Sequence, residues 1–230
     1  MFSIPRIFFR QTAKTGIGRV ALGLVVAGVM ISFSAHTGVG DVSAKQQAAK
    51  PLLPDPLADK KMLTRLASGT VRPFKYPEKI GGSLDLEFYD EKGKKRSLSE
   101  WRGKTVLLNF WAPWCESCRR ELPSLQKLRK RLDRQDFEVV IINIEADVKK
   151  GRTYLDSLGI KNLHSMVDRN KAAFQNLVAI GVPTNILIDC HGRELGRLKG
   201  SAEWHADAAI LLTKGMMRAA GCYDEKRELL

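Results

Sequence analysis

The spacing of apolar and polar residues divides the chain into elements before any single residue carries weight. From about Ser83, "LDLEFYDEKGKKRSLSEW" puts Leu84, Leu86 and Phe88 on one face, turns at Lys92-Gly93 and resumes at Arg96 to Leu98, which predicts a β-hairpin. "KTVLLNFWA" is a nearly unbroken apolar run, the pattern of a strand covered on both faces. In "CESCRRELPSLQKLRKRL" the period lengthens: Leu122, Leu125, Leu128 and Leu132 form a helical stripe, with Pro123 expected to bend it. "FEVVIINIEA" reads as a second buried strand and "VKKGRTYLDSLGI" as a second helix. "LHSMVD" reads as an edge strand, and "NKAAFQNLVAI" as a helix stopped by Gly181 and Pro183. "TNILIDC" and "ELGRLKG" flank "HGR" as an antiparallel hairpin, and "AEWHADAAILLTKGMMR" closes the pattern as an amphipathic helix. This order predicts an α/β fold, a central mixed sheet flanked by helices with an N-terminal β-hairpin extension.

Upstream the pattern changes. Residues 41–79 mix five prolines, Pro51, Pro54, Pro56, Pro73 and Pro77, with Lys, Ala and Gly, and read as a tether holding one short helix within "LADKKMLTRLAS". Residues 20–40 carry no Asp, Glu, Lys or Arg, and follow a start, residues 1–19, whose charges are Arg6, Arg10, Lys14 and Arg19. A basic start before an apolar run is a signal peptide or a membrane anchor. The most apolar part, Val20 to Phe33, reaches a spanning length of about 20 residues only by recruiting weakly polar flanks such as Ser34, Ala35 and Thr37. An uncleaved anchor is the favoured reading, ahead of cleavage after Ser34 and of a buried helix. In either of the first two readings the basic flank stays cytoplasmic and the rest of the chain faces an oxidising compartment. The expected layout is therefore 1–19 cytoplasmic, 20–40 anchor or signal, 41–79 tether, 80–220 folded domain and 221–230 tail.

At 230 residues and 44% hydrophobic composition, the chain can bury one sizeable core. The net charge of +13 would raise nucleic acid as a partner. Part of it belongs to the basic start, and no nucleic-acid partner is expected. His36, His164, His191 and His205 share no metal-ligand spacing, and no cofactor or metal motif is read.

Four cysteines remain, and an oxidising location favours disulfide chemistry for them. Cys115 and Cys118 sit where the apolar strand gives way to the helix, so the first sulfur lies near unpaired backbone N–H groups and the second falls on the same side one turn on. The predicted roles are an exposed nucleophile at Cys115 and a resolving thiol at Cys118, which releases the reduced partner from a mixed disulfide. A zinc half-site lacks a second ligand pair, and an inert staple is an uncommon use of a strand-to-helix junction beside Trp111 and Trp114. Those two tryptophans are more readily packing residues than recognition residues. Glu116, between the cysteines, opposes formation of a thiolate at Cys115 unless it points to solvent. Cys190 and Cys222 are isolated, and the sequence leaves open whether they pair.

"NFWAPWCESC", Pro123 in the next helix and "GVPTNILID" together resemble the thioredoxin fold, and residues 80–218 resemble its membrane-anchored periplasmic branch, the TlpA-like and cytochrome-maturation thioredoxins. "LSEWRGKTVLLNFWAPWC", "FEVVIINIEA" and "KGSAEW" favour TlpA. The resemblance implies that Cys115 is the nucleophile and that Pro183 is cis, bringing Val182 beside the site to pair with an extended partner. Two departures matter. Asn109 stands where thioredoxins carry a buried Asp as proton relay, which leaves water or another carboxylate, such as Glu145 or Glu116, for proton transfer. The extra cysteine that TlpA carries before the domain is absent, and Cys222 is a candidate replacement as partner of Cys190. The implied activity is reduction of disulfides in client proteins, including respiratory oxidase or cytochrome assembly factors, by an inner-membrane protein facing the periplasm and recharged by a membrane electron donor. The alternatives are a disulfide oxidase or isomerase, and a copper-binding thiol module.

Overall fold

The computed structural model describes residues 54–228 apart from 134, and the expected cytoplasmic start, anchor or signal, and first part of the tether lie outside these residues. Among the described residues no helix is long and apolar enough to cross a membrane. Seven strands form one mixed sheet in the order β2-β1-β5-β4-β3-β6-β7. They are β1 (Glu87–Asp90), β2 (Lys95–Ser97), β3 (Thr105–Trp111), β4 (Phe137–Asn143), β5 (His164–Val167), β6 (Thr184–Ile188) and β7 (Glu194–Lys199). The helices are α1 (Lys60–Leu66), α2 (Glu116–Arg131), α3 (Val148–Ser157), α4 (Ala172–Asn176), α5 (Asp207–Ala219) and α6 (Glu225–Glu228).

The apolar runs occupy the centre. Every residue of β3 and β4 is buried, and the two strands pair in parallel with Leu107 opposite Val139 and Asn109 opposite Ile141. On its other side β3 pairs antiparallel with β6, Phe110 opposite Thr184. The stripe of α2 packs as its period demands, with Leu122, Leu125, Leu128 and Leu132 all buried, and the helix continues through Pro123. Asp147 opens α3, its side chain accepting from the N–H of Lys150 at 2.9 Å. The predicted first hairpin is β1–β2, turning at Gly93 with φ 82 and burying Leu86 and Phe88.

Three expectations need correction. "LHSMVD" is not an edge: β5 pairs with β4 in parallel and with β1 antiparallel, because the hairpin extension adds itself outside β5. The helix expected over "NKAAFQNLVAI" is only α4, which stops at Asn176. Val178 adopts φ 50, which breaks the helix, and Arg197 Nη1 donates to the Leu177 carbonyl at 2.6 Å, tying that end to β7. Finally, the folded unit starts well before residue 80. Leu57, Leu63, Val71 and Phe74 join the core. Lys75 bridges to Arg197 of β7 across Gly196, where a Cβ would lie 2.4 Å from the Phe74 ring. Only glycine admits that approach.

Candidate active site

The junction of β3 and α2 builds the site. Trp111, the last residue of β3, is buried and stacks on Tyr154 of α3 with ring centroids 5.7 Å apart. After Ala112 and Pro113 the chain presents Trp114, which is 62% exposed. The packing role thus belongs to Trp111, and Trp114 is the tryptophan left at the surface. Cys115 is the N-cap of α2, and its sulfur accepts from the N–H of Cys118 at 3.1 Å. The two cysteines are joined as a disulfide, with Cα atoms 5.3 Å apart. The expectation of an exposed sulfur is not met in this state. Cys115 is 5% exposed and Cys118 1%, because the bond folds the first sulfur back onto the helix's opening turn.

The second expected site element comes from the far side of β3. Continuing the β3–β6 register one step beyond Phe110 and Thr184 puts Pro183 across from Trp111, so the loop before β6 emerges at the same end of the sheet as Cys115. The Val182–Pro183 peptide is cis. Thr184 Oγ1 donates to the Gly181 carbonyl at 2.7 Å, and the N–H of Gly200 donates to the Pro183 carbonyl at 2.9 Å, so the start of β6 and the residue after β7 both hold the loop.

Sequence reasoning missed Glu121. This carboxylate, on the turn of α2 after Cys118, is 1% exposed. Its Oε1 accepts from Asn185 Nδ2 at 2.8 Å, the N–H of Ala202 at 3.0 Å and Trp204 Nε1 at 2.8 Å, and its Oε2 accepts from Asn109 Nδ2 at 3.0 Å. No basic side chain is among these donors. Burial pushes the carboxyl up from 4.5, the four hydrogen bonds pull it back, and the balance stands at about 7. One signal was present: Cys118, Glu121, Leu125, Leu128 and Leu132 follow one helical face, so Glu121 stands on the buried stripe.

The two carboxylates expected to move protons are engaged in ion pairs. Glu116 is an exposed partner of Arg120 at 3.6 Å, its side chain 73% accessible and directed to solvent, which weakens its effect on Cys115. Glu145 pairs with Lys150 at 3.6 Å. Asn109 does not replace a titrating group by itself; it hydrogen-bonds one, and also donates to Asn185 Oδ1 at 2.8 Å. "KGSAEW" gains a structural role here, since it delivers the Ala202 and Trp204 donors.

Comparisons with known proteins agree with this geometry. The Redoxin family model matches residues 73–210. The thiol-disulfide oxidoreductase ResA of Bacillus subtilis is 30% identical over 112 residues, 49% of this chain and 62% of that protein. The thioredoxin-like protein YneN of the same organism is 34% identical over 111 residues, 47% of this chain and 64% of its own length. The chain thus spans somewhat less than two thirds of these relatives. Among solved structures, a putative thiol:disulfide interchange protein DsbE from Chlorobium tepidum superposes with a TM-score of 0.54 at 25% identity, covering 63% of this chain and 99% of that one. A putative protein disulfide isomerase from Bacteroides thetaiotaomicron gives 0.51 at 25% identity over 64% of this chain and 94% of its own. With a thioredoxin-type sheet, a Cys-x-x-Cys disulfide at the head of a helix and a family match over more than half its length, this chain belongs to the Redoxin family.

Proposed function

We propose that this protein is a thiol:disulfide oxidoreductase that reduces disulfides in client proteins. The observation that carries the reading is the placement of Cys115 as N-cap of α2, its sulfur facing the N–H of Cys118 and bonded to the Cys118 sulfur. An N-cap sulfur is stabilised as the anion by the helix's free N–H groups, and the anion is the attacking species. In the forward direction the Cys115 thiolate attacks a client disulfide, one client sulfur leaves as a thiol, and a mixed disulfide forms. Cys118 then attacks Cys115, the second client sulfur leaves, and the disulfide seen here results.

Cys118 must lose a proton to act, in a place almost closed to water. Glu121, on the next turn of the same helix and balanced near neutrality, is the group suited to accept it. Only one hydrogen bond falls on Oε2 and three fall on Oε1, so a proton can sit on Oε2 without displacing the larger set. Trp114 and the loop leading to Pro183 form the client-facing rim, where the Val182 backbone pairs with an extended client segment.

The family resemblance extends the proposal to respiratory oxidase or cytochrome assembly factors as clients, an inner-membrane anchor at residues 20–40, a periplasmic location and a membrane donor that re-reduces the pair. The deciding experiment is an equilibrium titration of the Cys115–Cys118 bond against glutathione, with redox trapping in cells. A reductase keeps the pair mainly as a dithiol at steady state; a pair held mainly as a disulfide assigns the oxidase direction instead.

A further inference from the structure

A second group of soft ligands lies at the end of the sheet opposite the active-site disulfide. β3 runs toward Cys115, while antiparallel β6 runs away from it and ends at Ile188, just before Cys190. There Cys190, His191 and Cys222 bring two sulfurs and an imidazole nitrogen within 4.8 Å of one another. In this structure the two sulfurs are bonded to each other.

Hydrogen bonds on both sides hold these groups in addition to that bond. Cys190 and His191 stand on the β6–β7 turn, which the buried Asp189 organises. Its Oδ1 accepts from the N–H of His191 at 2.9 Å and of Arg193 at 2.8 Å, and its Oδ2 accepts from Arg193 Nε at 2.6 Å. The Cys190 carbonyl receives the N–H of Gly103 at 2.8 Å. On the other side, Cys222 is placed by the end of α5. Gly221, at φ 71, lets its own N–H reach the Arg218 carbonyl at 3.0 Å and the N–H of Cys222 reach the Met217 carbonyl at 2.8 Å, the paired bonds of a Schellman terminus. The N–H of Cys190 also points at the Cys222 sulfur, 3.2 Å away.

We propose that reducing the Cys190–Cys222 disulfide creates a metal site in which both thiolates and the His191 imidazole bind one Zn2+ ion, with the fourth position open to water or an external ligand. Two thiolates and an imidazole are a donor set suited to this ion, and tetrahedral zinc with three protein ligands leaves one position free. The steps balance. A dithiol reductant gives two electrons and two protons and becomes a disulfide, the cystine becomes two thiols, and Zn2+ displaces the two thiol protons on binding. Disulfide and metal exclude each other, so the site loads only in the reduced state. No motif in the sequence reveals it, since Cys222 comes 31 positions after His191.

The test uses the full chain carrying Cys115→Ser and Cys118→Ser, so that the active-site thiols do not compete. The protein is reduced with dithiothreitol, desalted without air and titrated with Zn2+ against a chromophoric chelator; Co2+ is used in parallel to look for a thiolate-to-metal charge-transfer band. The expected result is one equivalent of zinc and the cobalt band in the reduced form, and neither in the disulfide form. Adding Cys190→Ser and Cys222→Ser should abolish uptake, and His191→Ala should weaken it about tenfold or more. Zinc uptake no greater than that of the serine variant, or unchanged affinity in His191→Ala, overturns the proposal. Loss of the native circular dichroism spectrum on reduction also overturns it, because the sulfurs would then owe their proximity to the bond alone.

Discussion

Trp204 Nε1 donates to Glu121 Oε1 at 2.8 Å, joining the loop before α5 to the turn of α2 that follows the active-site cysteines. The carboxylate it holds has no cationic neighbour among its hydrogen-bond partners, so burial raises its proton affinity and only neutral donors oppose the rise. The stability of the fold is therefore tied to pH through this one carboxyl.

Glu121 binds its proton more tightly in the folded chain than in the unfolded one, about 7 against 4.5. Its contribution is fully present below pH 4.5 and is lost as pH rises through 7. Glu121→Gln should flatten that part of the stability–pH curve, removing a fall of about 3 kcal/mol. Urea unfolding of the disulfide form at a series of pH values checks this. The same variant should slow release of the client from the mixed disulfide more than its formation.

Cys118→Ser should leave attack by Cys115 intact and trap a client in a mixed disulfide, while Cys115→Ser should trap none. Non-reducing electrophoresis after incubation with a disulfide-bearing protein reads both outcomes. Trapping by Cys115→Ser and none by Cys118→Ser would reverse the assigned roles, and equal trapping would remove the distinction between them.

Trp114 exposes its ring beside a disulfide that is itself nearly covered. Trp114→Ala should lower the rate with a protein disulfide about tenfold and leave the rate with a small aromatic disulfide nearly unchanged, a discrimination worth about 1.4 kcal/mol. Parallel assays with the two substrates separate docking from chemistry.

Glu138 on β4 behaves oppositely to Glu121. Burial alone would raise it, but hydrogen bonds from His164 and Arg129 outweigh burial and hold it at about 2. Its contribution is present above 4.5 and fades as pH falls through 2. Glu138→Gln should cost about 2 kcal/mol near neutral pH, the figure reduced because its partners are partly open to solvent, and progressively less in acid. Thermal unfolding across that range measures it.

The sequence by itself determined the parts whose signal is local. Continuous apolar runs made β3 and β4 central strands, the leucine stripe oriented α2, and the strand-to-helix junction put Cys115 at a helix cap, because side-chain period and helix-end chemistry operate within a few neighbouring residues. Tertiary structure decided what depends on distant partners. In sequence, Glu121 is a charged residue following two arginines; Asn109, Asn185, Ala202 and Trp204, from well-separated parts of the chain, turn it into a buried acid balanced near neutrality. β5 lost its expected edge position because the first hairpin pairs with it. Likewise, Cys190 and Cys222 met because a strand turn and a helix terminus converge. Burial and pairing are set by what the rest of the chain brings to a residue, and local periodicity carries no record of that.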